Sequence, residues 1–111
     1  MVDKAELLAL AERVEGLSGP SPKLDVEIWL TSVGRDVPMS HFTASLDAAM
    51  GLVPEGWWLF HIYVSPEEMP GDRFKASVYN DQSIYAASGR ASTPALALTA
   101  AALRARAEGG E

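Results

Sequence analysis

Two groups of residues in this 111-residue chain are of types that bind or react. The first runs through "WWLFHIYVS" and "RFKASVYN", where His61, Tyr63, Arg73, Lys75 and Tyr79 fall at alternating positions. Rings beside cations can stack on a base and hold a phosphate. The same spacing also suits ordinary cross-strand packing, with Arg73 and Lys75 laid over aromatic neighbours, or a face buried between subunits. The second group is Arg90, Ser92 and Thr93 in "GRASTPALAL", at the start of a helix. Helix N-termini present N–H groups to anions, although Thr93 capping its own helix and a solvated Arg90 account for the same residues.

Other chemistries find little support. The chain has no cysteine, so disulfides, thiolate ligands and thiol nucleophiles are excluded. His41 and His61 do not form a metal-ligand spacing, and Glu67, Glu68 and Asp72 fall in what reads as a solvated turn. No Gly-rich phosphate loop or nucleophile elbow occurs. A triad joining His61 to Asp72 or a serine would be spatial rather than sequential, and the order of residues leaves it open. No catalytic residue, metal site or cofactor is therefore assigned. Trp29, Trp57 and Trp58 read as core or interface anchors.

Composition limits the partners. The net charge of −6 opposes neutralisation of many phosphates on a long nucleic acid, while leaving room for a local basic pocket. The apolar runs are too short to span a bilayer, and "MVDKAELLALAERVEGL" places acids among its apolar residues rather than forming a signal-peptide core. A cytoplasmic protein of a bacterial cell, with no membrane partner, is expected.

The elements that must position these residues follow from periodicity and caps. Residues 1–20 read as a helix and linker: Asp3 caps, Leu7, Leu10 and Val14 form the apolar stripe, and Gly16 is expected as a left-handed stop. Residues 22–33 alternate as a strand would, but Ser21 before Pro22 and the later Gly34 favour a helix. Thr43 is expected to cap a short helix with Leu46, Met50 and Val53 on one side. "WWLFHIYVS" is the strongest strand signal. Strict alternation would put Trp58, Phe60, Ile62 and Val64 on one face and Trp57, Leu59, His61 and Tyr63 on the other. "RFKASVYN" and "SIYAASGR" complete an antiparallel meander, because the connections are too short for crossover helices. Pro94 at N1 then opens an Ala/Leu-rich helix, largely buried until Arg104 and Arg106, which are expected to complement its dipole. The fold class is α+β in one domain: a three-stranded antiparallel sheet with N-terminal helices and a C-terminal helix, an α/β sandwich, with 108–111 a flexible tail.

The blocks "FTASLDAAMGLVPEGWW" and "ASTPALALTAAALRARA", with "LDVEIWL" before them, resemble the small bacteriophage proteins grouped as the phage alpha-beta-alpha sandwich domain. The resemblance covers roughly residues 22–107 and implies a phage or prophage origin and an α/β sandwich, but no activity. The helix, three-strand, helix order is also similar to a double-stranded RNA-binding domain, yet "ASTPALAL" replaces the lysines expected at the last helix. The expectation is a non-enzymatic accessory protein acting by binding, such as a homo-oligomer that sequesters a nucleotide-like immune signal of the host. The alternative is an acidic inhibitor or adaptor presenting Glu55, Glu67, Glu68, Asp72 and Asp81 to a basic host protein; a small nucleotide-acting enzyme ranks below both.

Overall fold

The computed structural model describes residues 4–33, 39–54, 56–64, 73–80 and 85–109. Their order is α1 (Lys4–Glu15), α2 (Pro22–Ile28), a π-helical turn (Trp29–Val33), α3 (Leu46–Met50), β1 (Trp57–Val64), β2 (Phe74–Asn80), β3 (Tyr85–Ala91) and α4 (Pro94–Gly109). Asp3, the expected cap of α1, and the hairpin acids Glu67, Glu68 and Asp72 lie outside the described residues, as do Glu55 and Asp81.

Leu7, Leu10, Ala11 and Val14 are buried, which is the helical stripe that makes α1 amphipathic. Gly16 ends it differently from expectation. Its N–H bonds to the carbonyls of Glu12 and Arg13 at 3.2 Å, while Gly56, at φ 89°, is the glycine with positive φ among the described residues. Left-handed freedom is needed where the chain turns into β1, not where α1 stops.

Over 22–33 the helical reading holds. The Ser21 hydroxyl accepts the Leu24 N–H at 3.2 Å, Pro22 begins the helix, and Leu24, Asp25 and Ile28 are buried at helical spacing. After Ile28 the winding loosens into the π turn. At α3, Ser45 rather than Thr43 is the cap, accepting the Ala48 N–H at 3.2 Å. Thr43 is committed elsewhere. Its N–H and hydroxyl each donate to Asp25 Oδ1 at 2.8 Å, in an environment where both residues are almost fully buried. The expected Leu46–Met50–Val53 side also shifts: Ala49 and Leu52 enter the core, whereas Leu46 and Met50 are exposed.

The strands form a meander in the order β1-β2-β3. Between β2 and β3 the register is regular, pairing Lys75 with Arg90, Ser77 with Ser88 and Val78 with Ala87. Between β1 and β2 it shifts at Phe60, so that Trp58 pairs with Tyr79 and Leu59 with Val78, but His61 pairs with Ser77 and Ile62 with Ala76. A bulge of this kind moves every later side chain to the other face. The faces expected from strict alternation are therefore corrected: Trp57, Ile62 and Val64 share one, and Trp58, His61 and Tyr63 share the other.

Helix α4 lies on the first of these faces, chiefly against β3 and β2, and α1 and α3 cover its far side. The layers are thus sheet, α4 and outer helices. Residues Ala95 to Leu103 are all buried, because the helix is enclosed on nearly every side. Small side chains make that fit. A Cβ on Gly89 of β3 would sit 2.5 Å from the Ala97 carbonyl oxygen and 2.7 Å from Ala100 Cβ, so glycine on the strand and alanine on the helix are both required. Within the helix, the Thr99 hydroxyl lies 2.7 Å from the Ala95 carbonyl oxygen and 3.0 Å from that of Phe42, tying α4 to the loop before α3. Arg104 and Arg106 do more than complement a dipole: Arg106 Nε donates to the Leu52 carbonyl at 2.6 Å, and Arg104 clamps the sheet edge described below. Glu108 and Gly109 are part of α4 rather than of a tail.

Candidate functional site: the helix-free face of the sheet

The side chains opposite α4 form a surface on which no described helix is layered. Register arranges them in three rows across the strands. Trp58 and Tyr79 form the first, His61, Ser77 and Ser88 the second, and Tyr63, Lys75 and Arg90 the third. Neighbouring strands lie about 4.8 Å apart, and rows two residues apart are separated by about 6.6 Å. Aromatic surface thus stands at one end and two cations at the other, with small hydroxyl residues between. Trp58 is 53% exposed and Tyr63 41%, whereas Ser77 is buried at the centre. The His61 and Tyr63 rings stack, with centroids 4.9 Å apart and planes inclined by 19°.

The sequence-predicted residues divide clearly. His61, Tyr63, Lys75, Tyr79 and Arg90 meet on this face. Arg73 is exposed just before β2, its guanidinium 6.0 Å from the centroid of the Phe74 ring, which belongs to the α4 side, so it does not join a row. Ser92 and Thr93 do not join. The Ser92 hydroxyl donates to the Leu17 carbonyl at 3.0 Å, and the Thr93 hydroxyl accepts the Leu96 N–H at 3.1 Å. Both are spent on docking and capping α4, which corrects the reading of that helix start as a phosphate site. Of the tryptophans, Trp57 is core, Trp29 packs half-buried against it, and Trp58 belongs to the open face. Sequence reasoning missed Trp58 as a site residue because only the bulge brings it into phase with His61.

The face is bounded at β3 by an ion pair. Arg104 holds Glu15 with two parallel hydrogen bonds of 2.5 and 2.9 Å, and also donates to the Ser88 carbonyl at 2.9 Å. Glu15 in turn accepts the Arg90 N–H at 2.9 Å. Two outward backbone groups of this edge strand, the Arg90 N–H and the Ser88 carbonyl, are thereby occupied. Burial by itself raises the Glu15 carboxyl; the Arg104 hydrogen bonds, the Arg90 N–H and the two guanidinium charges prevail and hold it below its ordinary value of 4.5.

Two other places were candidates for chemistry. Asp25, His41 and Thr43 contain the residue types of a triad, but the Thr43 hydroxyl donates to Asp25, while exposed His41 reaches only within 4.0 Å of the other carboxylate oxygen. That is a structural tie between α2 and the following loop. A shallow depression beside Leu17, Ser21 and Lys23 borders Arg13, whose guanidinium is held by Glu27 at 2.7 and 3.2 Å. Among the described residues no three potential metal ligands cluster, and no helix is long and apolar enough to cross a membrane. The acids expected to form an acidic docking surface all lie outside the described residues.

No protein-family model matches the chain, and no curated protein or solved structure matches it either.

Proposed function

We propose that the protein is a binding module whose helix-free sheet face takes an anionic, aromatic small molecule of the nucleotide class. One observation carries this reading: Lys75 and Arg90 stand directly opposite each other in the β2–β3 register, on that face, in a chain of net charge −6. Like charges directly opposed across strands are destabilising. An acidic protein that keeps such a pair holds a local site for an anion. The aromatic rows supply the other half of the ligand, since rings on open sheets stack bases. A phosphate on Lys75 and Arg90 would leave the base over the Tyr63–His61 stack or the Trp58–Tyr79 row.

The face offers binding contacts, so the action that fits it is sequestration. The resemblance of Thr43–Trp58 and Ala91–Ala107 to phage sandwich proteins supplies a setting, an accessory protein that removes a nucleotide-like defence signal inside an infected cell. The test is a titration of the full chain with AMP, a cyclic dinucleotide and a short oligothymidylate, read by calorimetry and by tryptophan fluorescence. Saturable binding by one of them, with quenching lost in Trp58→Phe and affinity lost in Lys75→Glu, is the expected result. Absence of heat and quenching with all three at millimolar concentration rejects the reading.

A further inference from the structure

At the centre of the helix-free face stands a hydroxyl that the fold itself does not use. Ser77 lies in the middle of β2, 7% exposed, with Ser88 directly opposite it on β3. Among the described residues no hydrogen bond engages the Ser77 hydroxyl, and no side-chain nitrogen or oxygen is sealed from solvent without a partner. Ser77 is therefore covered by its neighbours while its hydroxyl oxygen still meets solvent at the floor of the face. A hydroxyl with so little access to water is poorly hydrated, and an apolar residue would fill the position without that cost. The residues on either side of it, Ala76 and Val78, are buried and apolar.

The neighbours of this hydroxyl are ordered by chemistry. Along β2 the residues of this face run Lys75, Ser77, Tyr79, and across the sheet Lys75 faces Arg90 while Ser77 faces Ser88. A cation pair, a hydroxyl pair and an aromatic ring thus follow one another at steps of about 6.6 Å. Lys75, Ser88 and Arg90 are each partly open to solvent, and Lys75 has no ion pair among the described residues. The Cβ atoms of the two serines stand about 5 Å apart. Serine is far shorter than lysine, arginine or tyrosine, so the pair forms a dip between them.

From this order we infer that the dip reads the sugar of the ligand, so that the site takes a single ribonucleoside monophosphate. Its phosphate lies on Lys75 and Arg90, its 2′- and 3′-hydroxyls on Ser77 and Ser88, and its base toward the Tyr79 ring. This assignment rests on the proposed ligand reading and narrows it. A sugar hydroxyl both donates and accepts, so it can satisfy a serine hydroxyl in either sense, and the 2′-hydroxyl is the group by which a protein tells ribose from deoxyribose. Sites that hydrogen-bond a substrate hydroxyl reject the analogue lacking it, because their own polar group is left unpaired. One row of cations suits one phosphate. A nucleic-acid strand calls for cations repeated along its path, whereas no lysine or arginine stands in the other two rows. A free 2′,3′-diol also sets aside ligands joined through the 3′-oxygen, such as a 3′,5′-linked cyclic dinucleotide.

Calorimetric titration of the full chain with AMP, 2′-deoxy-AMP and 3′-deoxy-AMP tests the assignment. AMP is expected to bind about tenfold more tightly than either deoxy form, the effect of one hydrogen bond. Ser77→Ala is expected to abolish the preference over one deoxy form and Ser88→Ala the preference over the other. The urea midpoint of Ser77→Ala should stay unchanged or rise, since the fold makes no use of that hydroxyl. A merely structural role for the serines would lower all three affinities together and leave their ratios intact. Equal affinity for AMP and both deoxy forms overturns the inference and leaves the wider ligand reading standing. So does a preference that survives in both variants, or a cyclic dinucleotide that binds more tightly than AMP. If no nucleotide binds at millimolar concentration, the wider reading falls and this assignment falls with it.

Discussion

The two faces of the sheet are built from the same three strands and have opposite chemistry. The face under α4 presents Ala76, Val78, Ala87, Gly89 and Ala91, which are small and buried. The other presents Trp58, His61, Tyr63, Lys75, Tyr79 and Arg90, which are large and carry polar tips. Backbone-close helix packing accounts for the first set, because a single added methyl at Gly89 meets helix backbone. No packing demand of that kind explains the second. Large side chains and opposed cations on a face that no described helix covers contrast with the small residues that let α4 approach the sheet, and the proposed function rests on that difference.

Substitutions should separate the faces by size and by sign. Gly89→Ala on the covered face is expected to be the most damaging, destabilising by about 3 kcal/mol or more because the new Cβ meets two backbone atoms of α4 within 3.0 Å. Urea unfolding monitored by circular dichroism measures it. Beneath that layer, Thr43→Val should cost about 2 kcal/mol, since the nearly fully buried Asp25 carboxylate loses its hydroxyl donor and the Ser21 N–H loses its acceptor. Thr43→Ser, which retains the donor, should recover part of the loss.

At the boundary between the faces, Glu15→Gln is expected to cost about 2 kcal/mol at neutral pH by breaking the half-buried fork with Arg104. Its pH dependence has a defined sign. Because the folded-state pKa of Glu15 lies below 4.5, its stabilisation is complete above that value and is lost as pH falls through the lowered folded-state value. The wild type should therefore lose stability more steeply than Glu15→Gln in that acid range, as unfolding midpoints measured from pH 6 downward would show.

The smallest effect carries the sharpest contrast. Lys75→Glu replaces a like-charge cross-strand pair with an attractive one facing Arg90, and should stabilise the fold by a few tenths of a kcal/mol. Nucleotide binding should fall in the same variant. A more stable protein that binds less would mark Lys75 as retained for function, whereas a less stable one would return it to ordinary packing.

Much of the fold was legible because it depends on local signals. Ser21 and Pro22 announced α2, Thr93 and Pro94 announced α4, and the alternating positions of Lys75 and Tyr79 in "RFKASVYN" do share one face of β2. The errors share a cause. Thr43 looked like a cap until Asp25 claimed its hydroxyl, Ser92 looked available until Leu17 took it, and Gly16 looked left-handed until the last turn of α1 satisfied its N–H. Each of those groups has a local use and a distant competitor, and only the folded chain decides between them.

By itself, then, the sequence determined which segments become helix or strand, that α4 must be buried, and that rings and cations accompany each other along the hairpin. Those properties depend on side-chain volume, periodicity and caps within a few residues. Tertiary structure alone decided that Lys75 faces Arg90, that a bulge at Phe60 brings Trp58 into line with His61, that the described helices lie on one face, and that Glu15 and Arg104 take two outward backbone groups of β3. Register and layering depend on contacts between residues far apart in the chain, and a one-residue slip is invisible to local periodicity even though it inverts a strand.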